Sequence, residues 1–251
     1  MIKVILYLCT ISLLLTSCGA STAKDTPLPV IISTEEETNN KSENCIDDII
    51  FLGESTTYHL KSRGVLNGGK ETKQVWAPKS GTLMLDATIC ECRIVYPKTN
   101  EELALEEALK REQPKIMLLT FGLNGATNFI SRKKEYFKLC YQKLIDLIKT
   151  TSPKTKIIIN SCFPIAANMD MSRYSIDAKT LNSYIDTLNI WAEEVAYENN
   201  INYANSASKL KDSHGYLNST LQAEDGYHLN IEAYKLILEY LNNYLQSNKE
   251  N

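Results

Sequence analysis

The chain has 251 residues, which suits one domain with a leader better than two full domains. Apolar residues make up 43% and charged residues 23%, the balance of an ordinary globular protein. A formal net charge of -3 leaves no basic surplus and argues against a nucleic-acid partner.

The first residues read as a leader rather than as part of a fold. Lys3 gives a short positive start, and residues 4–15 are apolar apart from Cys9, Thr10 and Ser12. That run is too short to span a membrane and suits the core of a signal peptide. It ends in Leu15-Thr16-Ser17-Cys18-Gly19, which resembles a bacterial lipobox. On that resemblance residues 1–17 are removed and Cys18 carries a lipid. Residues 18–44 are rich in Ser, Thr, Glu, Asn and Pro, have no apolar period, and read as a flexible tether. The expectation is a domain over 45–251, anchored to the outer face of the cell membrane rather than spanning it.

Within that domain, short apolar runs alternate with helical stretches. Strands are predicted at 49–52, ending at Gly53, then at 73–76, 116–121, 156–162 and, more weakly, 201–203. Continuous apolar runs such as Ile116-Met117-Leu118-Leu119 suit parallel strands buried on both faces. A helix should start after Ser55, and others are predicted at 101–111, 134–149, 178–198 and 231–245 from apolar residues spaced three and four apart. The alternation argues a parallel α/β sheet with helices on both faces. Active sites in such sheets lie at the C-terminal strand ends, so the residues after Leu52, Trp76, Phe121 and Cys162 are where chemistry should sit.

Ser55 follows the first strand in Gly53-Glu54-Ser55. Alone it reads as a helix N-cap, because a serine hydroxyl needs a base before it can act as a nucleophile. The base candidate is His228, in Asp225-Gly226-Tyr227-His228. Of the three histidines (His59, His214, His228), only this one has an acid beside it in a tight, Gly-containing turn. Asp225 can orient the ring and stabilise the imidazolium. His59, four residues after Ser55, could share its helical face but has no acid to orient it. Asn124, in Gly122-Leu123-Asn124-Gly125 after the strongest strand, can donate to an oxyanion. By itself it reads as a turn residue. Gly81 could bring a backbone N–H to the cleft, with Gly64, Gly68 and Gly69 as rivals.

Together these blocks resemble the SGNH (GDSL-like) hydrolase superfamily, over about residues 48–245. The resemblance implies a three-layer α/β/α sandwich with a flavodoxin-like parallel sheet of about five strands. It implies Ser55 as nucleophile, His228 and Asp225 completing a triad, and an oxyanion hole of Ser55, Gly81 and Asn124. It implies no metal and no organic cofactor. Two departures stand out: the family's Gly-Asp-Ser is Gly53-Glu54-Ser55, and its Gly-x-Asn-Asp is Gly122-Leu123-Asn124-Gly125. These put the packing beside the nucleophile and the hold on the Asn124 loop in question. The expected activity is an esterase or deacetylase on acylated saccharides or other small esters outside the membrane. An O-acyltransferase of the cell envelope and a non-catalytic binding module on the same fold are the alternatives. The five cysteines after Cys18, namely Cys45, Cys90, Cys92, Cys140 and Cys162, read as buried thiols.

Overall fold

A computed structural model describes residues 44–248. The leader at 1–17, the lipidation candidate Cys18 and the tether as far as residue 43 lie outside the described residues.

Five parallel strands form the central sheet: β1 (Ile49–Gly53), β2 (Val75–Trp76), β5 (Ile116–Thr120), β6 (Lys156–Asn160) and β7 (Asn202–Ala204). Their order is β2-β1-β5-β6-β7, so that the chain places its second strand outside its first and then adds the rest on the other side. This is the flavodoxin-like order. Phe51 pairs with both Val75 and Leu118, and Leu118 with Ile158, which keeps the strand ends level across the sheet.

The apolar runs alternate between two cores. Met117, Leu119, Ile157 and Ile159 pack on one face, beneath α2 (Leu105–Glu112), α3 (Ala126–Thr151) and α4 (Ala178–Glu198). Phe51, Leu118 and Ile158 face the other way, beneath α1 (Ser55–Ser62) and α5 (Ile231–Ser247). The strands β1, β5 and β6 are therefore buried on both sides, which is why they read as continuous apolar runs. Burying one such side chain contributes about 1.5–3 kcal/mol.

The helix predicted over 101–111 divides. Residues Glu102–Ala104 form β4, antiparallel to β3 (Arg93–Val95), and only then does α2 begin. Leu103 pairs across the ladder with the fully buried Ile94, a long-range partner that local periodicity does not register. The helix predicted from 134 begins earlier, at Ala126, with a break at Lys133 (φ 71°, ψ 172°). The extra turns carry Phe129, whose ring packs edge-on against Phe137 at 5.0 Å. Cys140 and Cys162 are buried free thiols, whereas Cys90 and Cys92 are free but only half-buried, in the loop before β3. No described helix is long and apolar enough to cross a membrane.

Candidate active site

Ser55 is the first residue of α1, directly after β1. Glu54 before it is extended (φ -79°, ψ -171°), so the chain turns at the strand end. The Ser55 N–H is then one of the donors that a helix N-terminus leaves without an intrahelical partner. Its Oγ lies 2.9 Å from His228 Nε2. On the far side of the ring, His228 Nδ1 lies 2.6 Å from Asp225 Oδ2. A carboxylate only accepts, so Nδ1 carries the proton and Nε2 is left to accept from the Ser55 hydroxyl.

Asp225 also closes its own loop. Its Oδ1 accepts the N–H of Tyr227 at 3.0 Å and of His228 at 2.8 Å. Burial acts to raise the Asp225 carboxyl, but these bonds and the imidazole outweigh it and hold the group below its usual range. The far end of the loop is set by Asn230, whose side chain caps α5 by accepting from Ala233 N–H at 3.0 Å. Tyr234, one turn into α5, donates its hydroxyl to the Thr56 carbonyl at 2.7 Å. The helix that follows His228 is thereby tied to the helix that carries Ser55.

The third block stands on the same rim. Glu54, only 2% exposed, turns its carboxyl under the loop after β5: Oε1 accepts from Gly122 N–H at 2.9 Å and Oε2 from Asn124 N–H at 3.1 Å. The Asn124 Nδ2 donates to Thr82 Oγ1 at 2.9 Å, and its Oδ1 accepts from the Tyr227 hydroxyl at 2.7 Å. A hydroxyl, an imidazole, a carboxylate and a side-chain amide from three chain segments thus meet at the C-terminal strand ends.

The GDSL-like Lipase/Acylhydrolase family matches residues 51–236, from β1 into α5. The chain belongs to this family. It is a serine ester hydrolase, and the site belongs to an acylhydrolase fold. Among solved structures, a Streptococcus pneumonia protein proposed to be a platelet activating factor aligns with a TM-score of 0.55 and 18% identity, over 79% of this chain and 83% of that one. A proposed acylhydrolase from Bacteroides fragilis gives 0.54 and 16%, over 79% and 86%. A GDSL-like lipase from Bacteroides thetaiotaomicron gives 0.50 and 16%, over 79% and 87%. At such identities these likenesses concern the fold. None of the curated proteins compared with the chain matches its sequence.

The acylhydrolase's two departures from the family pattern have connected physical explanations. A Cβ on Gly125 would sit 2.7 Å from the Phe129 ring, so a side chain there would have to displace that ring. The hold on the loop comes instead from Glu54, one methylene longer than Asp and placed beneath the Gly122 and Asn124 amides. Burial pushes Glu54 up to about 7, against the backbone N–H groups of Gly122, Asn124 and Leu123, which pull it down.

Gly81 differs from its expected role. Its N–H donates to the Pro78 carbonyl at 2.9 Å, inside a turn, rather than facing the cleft. Its φ of +76° and the Tyr58 ring, 2.9 Å from where a Cβ would stand, account for glycine there. His59 lies against the back of the site, its ring centroid 4.3 Å from that of His228. Burial, then the nearby His228 and Arg63, lower it to about 4, so it is neutral at pH 7 beside the His228 ring. Among the described residues, no group of three His, Cys, Asp or Glu side chains could hold a metal ion.

Four contributors were invisible as such in the sequence. Glu54 was legible only as a deviation from a motif. Tyr227 stands in the sequence only as a residue between Asp225 and His228, with nothing to mark its partner Asn124. Asn182 and Asn189 carry no local signal, yet both hydrogen-bond the backbone of the segment after β6, Asn182 at Ile165 and Asn189 at Cys162.

Proposed function

We propose that this esterase works through a Ser55–His228–Asp225 triad and acts on acylated saccharides or other small esters outside the membrane. The observation that carries the triad is the pair of short contacts on opposite sides of one imidazole, 2.9 Å to Ser55 Oγ and 2.6 Å to Asp225 Oδ2. As His228 Nε2 takes the hydroxyl proton, Ser55 Oγ attacks the ester carbonyl carbon. The new oxyanion forms near the Ser55 N–H and the Asn124 amide, donors already in place before the reaction. His228 passes its proton to the leaving alcohol, and the acyl-serine remains. Water, deprotonated by His228, attacks the acyl carbon and releases the acid, and the serine is restored. Asp225 holds the tautomer and stabilises the imidazolium throughout.

The substrate assignment is supported by the lipobox-like leader, which argues for export and attachment at Cys18. Purified protein should hydrolyse short-chain nitrophenyl esters and label with a serine-reactive fluorophosphonate. The Ser55→Ala variant should lose both, with turnover falling on the order of 10⁴- to 10⁶-fold. Equal turnover in the two proteins would sink the assignment of the nucleophile. Release of acetate from an acetylated glycan, against a deacetylated control, tests the substrate class.

A further inference from the structure

The loop between Asp225 and His228 does more than position the imidazole. Tyr227 sends its side chain out of that loop and into the neighbouring block, where its hydroxyl lies 2.7 Å from Asn124 Oδ1. The residue is half-buried, and burial keeps its hydroxyl protonated far above the usual tyrosine range. It is therefore a permanent donor to a carbonyl oxygen. A primary amide has two faces, and a donor on its oxygen decides which way the NH2 group points. Here the NH2 group faces Thr82, where Nδ2 donates to Oγ1 at 2.9 Å, and Thr82 Oγ1 passes its own proton on to the Leu83 carbonyl at 3.2 Å. The second N–H of Asn124 has only the Leu83 carbonyl, at 3.5 Å, the outer limit of a hydrogen bond. So long a contact is readily exchanged for one to a developing oxyanion.

We propose that Tyr227 is a positioning residue for ester hydrolysis: its hydroxyl orients the Asn124 amide and so couples the loop of the base to the donor that receives the oxyanion. The inference rests on the triad reading above. It adds that the two blocks are aligned by one hydrogen bond between their side chains, with Glu54 supporting the same loop from beneath through its backbone.

The test is a double-mutant cycle on the full chain, with Ser55→Ala as the zero of activity. Tyr227→Phe removes one oxygen and keeps the ring. It should lower kcat for a nitrophenyl ester about tenfold, with KM and the pH midpoint of the rate unchanged, because a donor is misaimed and no binding contact is lost. Asn124→Ala should lower kcat about 10²- to 10³-fold. In that background Tyr227→Phe should have no further effect, since it acts only through the amide. Wild-type kcat in Tyr227→Phe overturns the inference. So does a multiplicative loss in the double variant, or a shifted pH midpoint, which would mark a loosened Asp225–His228 loop. Activity that survives Ser55→Ala overturns the triad reading instead, so the two failures are distinguishable. Titration of reactive Ser55 with the fluorophosphonate counts the folded sites, so kcat per labelled site still decides the inference should Tyr227→Phe fold poorly.

Discussion

Glu54 is the residue whose physics departs furthest from its appearance in the sequence. A carboxyl with an ordinary value of 4.5 is raised to about 7 by burial. Between those values the folded state keeps a proton that the unfolded state has released, so the stability from this group is full below pH 4.5 and is lost as pH rises through 7. The span corresponds to on the order of 3 kcal/mol. Glu54→Gln should remove that slope: the difference in unfolding free energy, wild type minus variant, should decline by about that amount between pH 4.5 and 7 in urea titrations. A difference that stays flat means the carboxyl titrates normally. His59 has the opposite sign. Lowered to about 4 from 6.5, it contributes stability that is present above 6.5 and lost as pH falls through 4. The comparison with Glu54→Gln cancels the His59 contribution, which both proteins share.

At the scale of elements, α4 supports the loop that carries His228 through the segment after β6. Asn182 reaches from its inner face to the segment after β6, accepting from Ile165 N–H and donating to Ile165 O, both at 3.0 Å. Asn189, two turns later, does the same to Cys162, at 2.8 and 3.0 Å. The two asparagines hydrogen-bond the segment as a neighbouring strand would. The next residue, Ala166, donates its N–H to the Gly226 carbonyl at 2.8 Å, inside the loop that carries His228. Asn182→Ala would strand the buried Ile165 N–H, while Ile165 O keeps the Leu217 N–H at 2.9 Å. The expected cost is about 2 kcal/mol. A Tm lower by about 6 °C should accompany it, with reduced esterase activity as the support under Gly226 loosens. An unchanged Tm by calorimetry would mean that water replaces the side chain at no cost.

For the whole molecule, β1 sets the direction. The chain enters the described domain at Asn44, just before the N-terminal end of β1, and Ser55 follows its C-terminal end. Five residues of strand separate the two by about 17 Å. Asn44, where the described domain begins, and Ser55 therefore lie at opposite ends of β1. Wild-type protein expressed in a bacterial host should sediment with membranes and release on detergent, and Cys18→Ser should appear in the soluble fraction with its esterase activity intact. Equal membrane retention of the two proteins would refute lipid attachment at that cysteine.

The sequence by itself determined the fold class and the blocks of the site, because both are written in local signals. Runs such as Ile116-Met117-Leu118-Leu119 are apolar on both faces, as a strand between two helical layers must be. Asp225 and His228 share one tight loop, so their pairing is a short-range matter that spacing alone suggests. Tertiary structure decided what depends on partners far along the chain. Residues 102–104 are a strand because Ile94 lies opposite Leu103. Glu54 lies beneath the Asn124 loop, Tyr227 on Asn124, and Asn182 on Ile165, at separations of 70, 103 and 17 residues. A buried polar side chain is placed by the need to satisfy its hydrogen bonds, and only the folded chain supplies the partners.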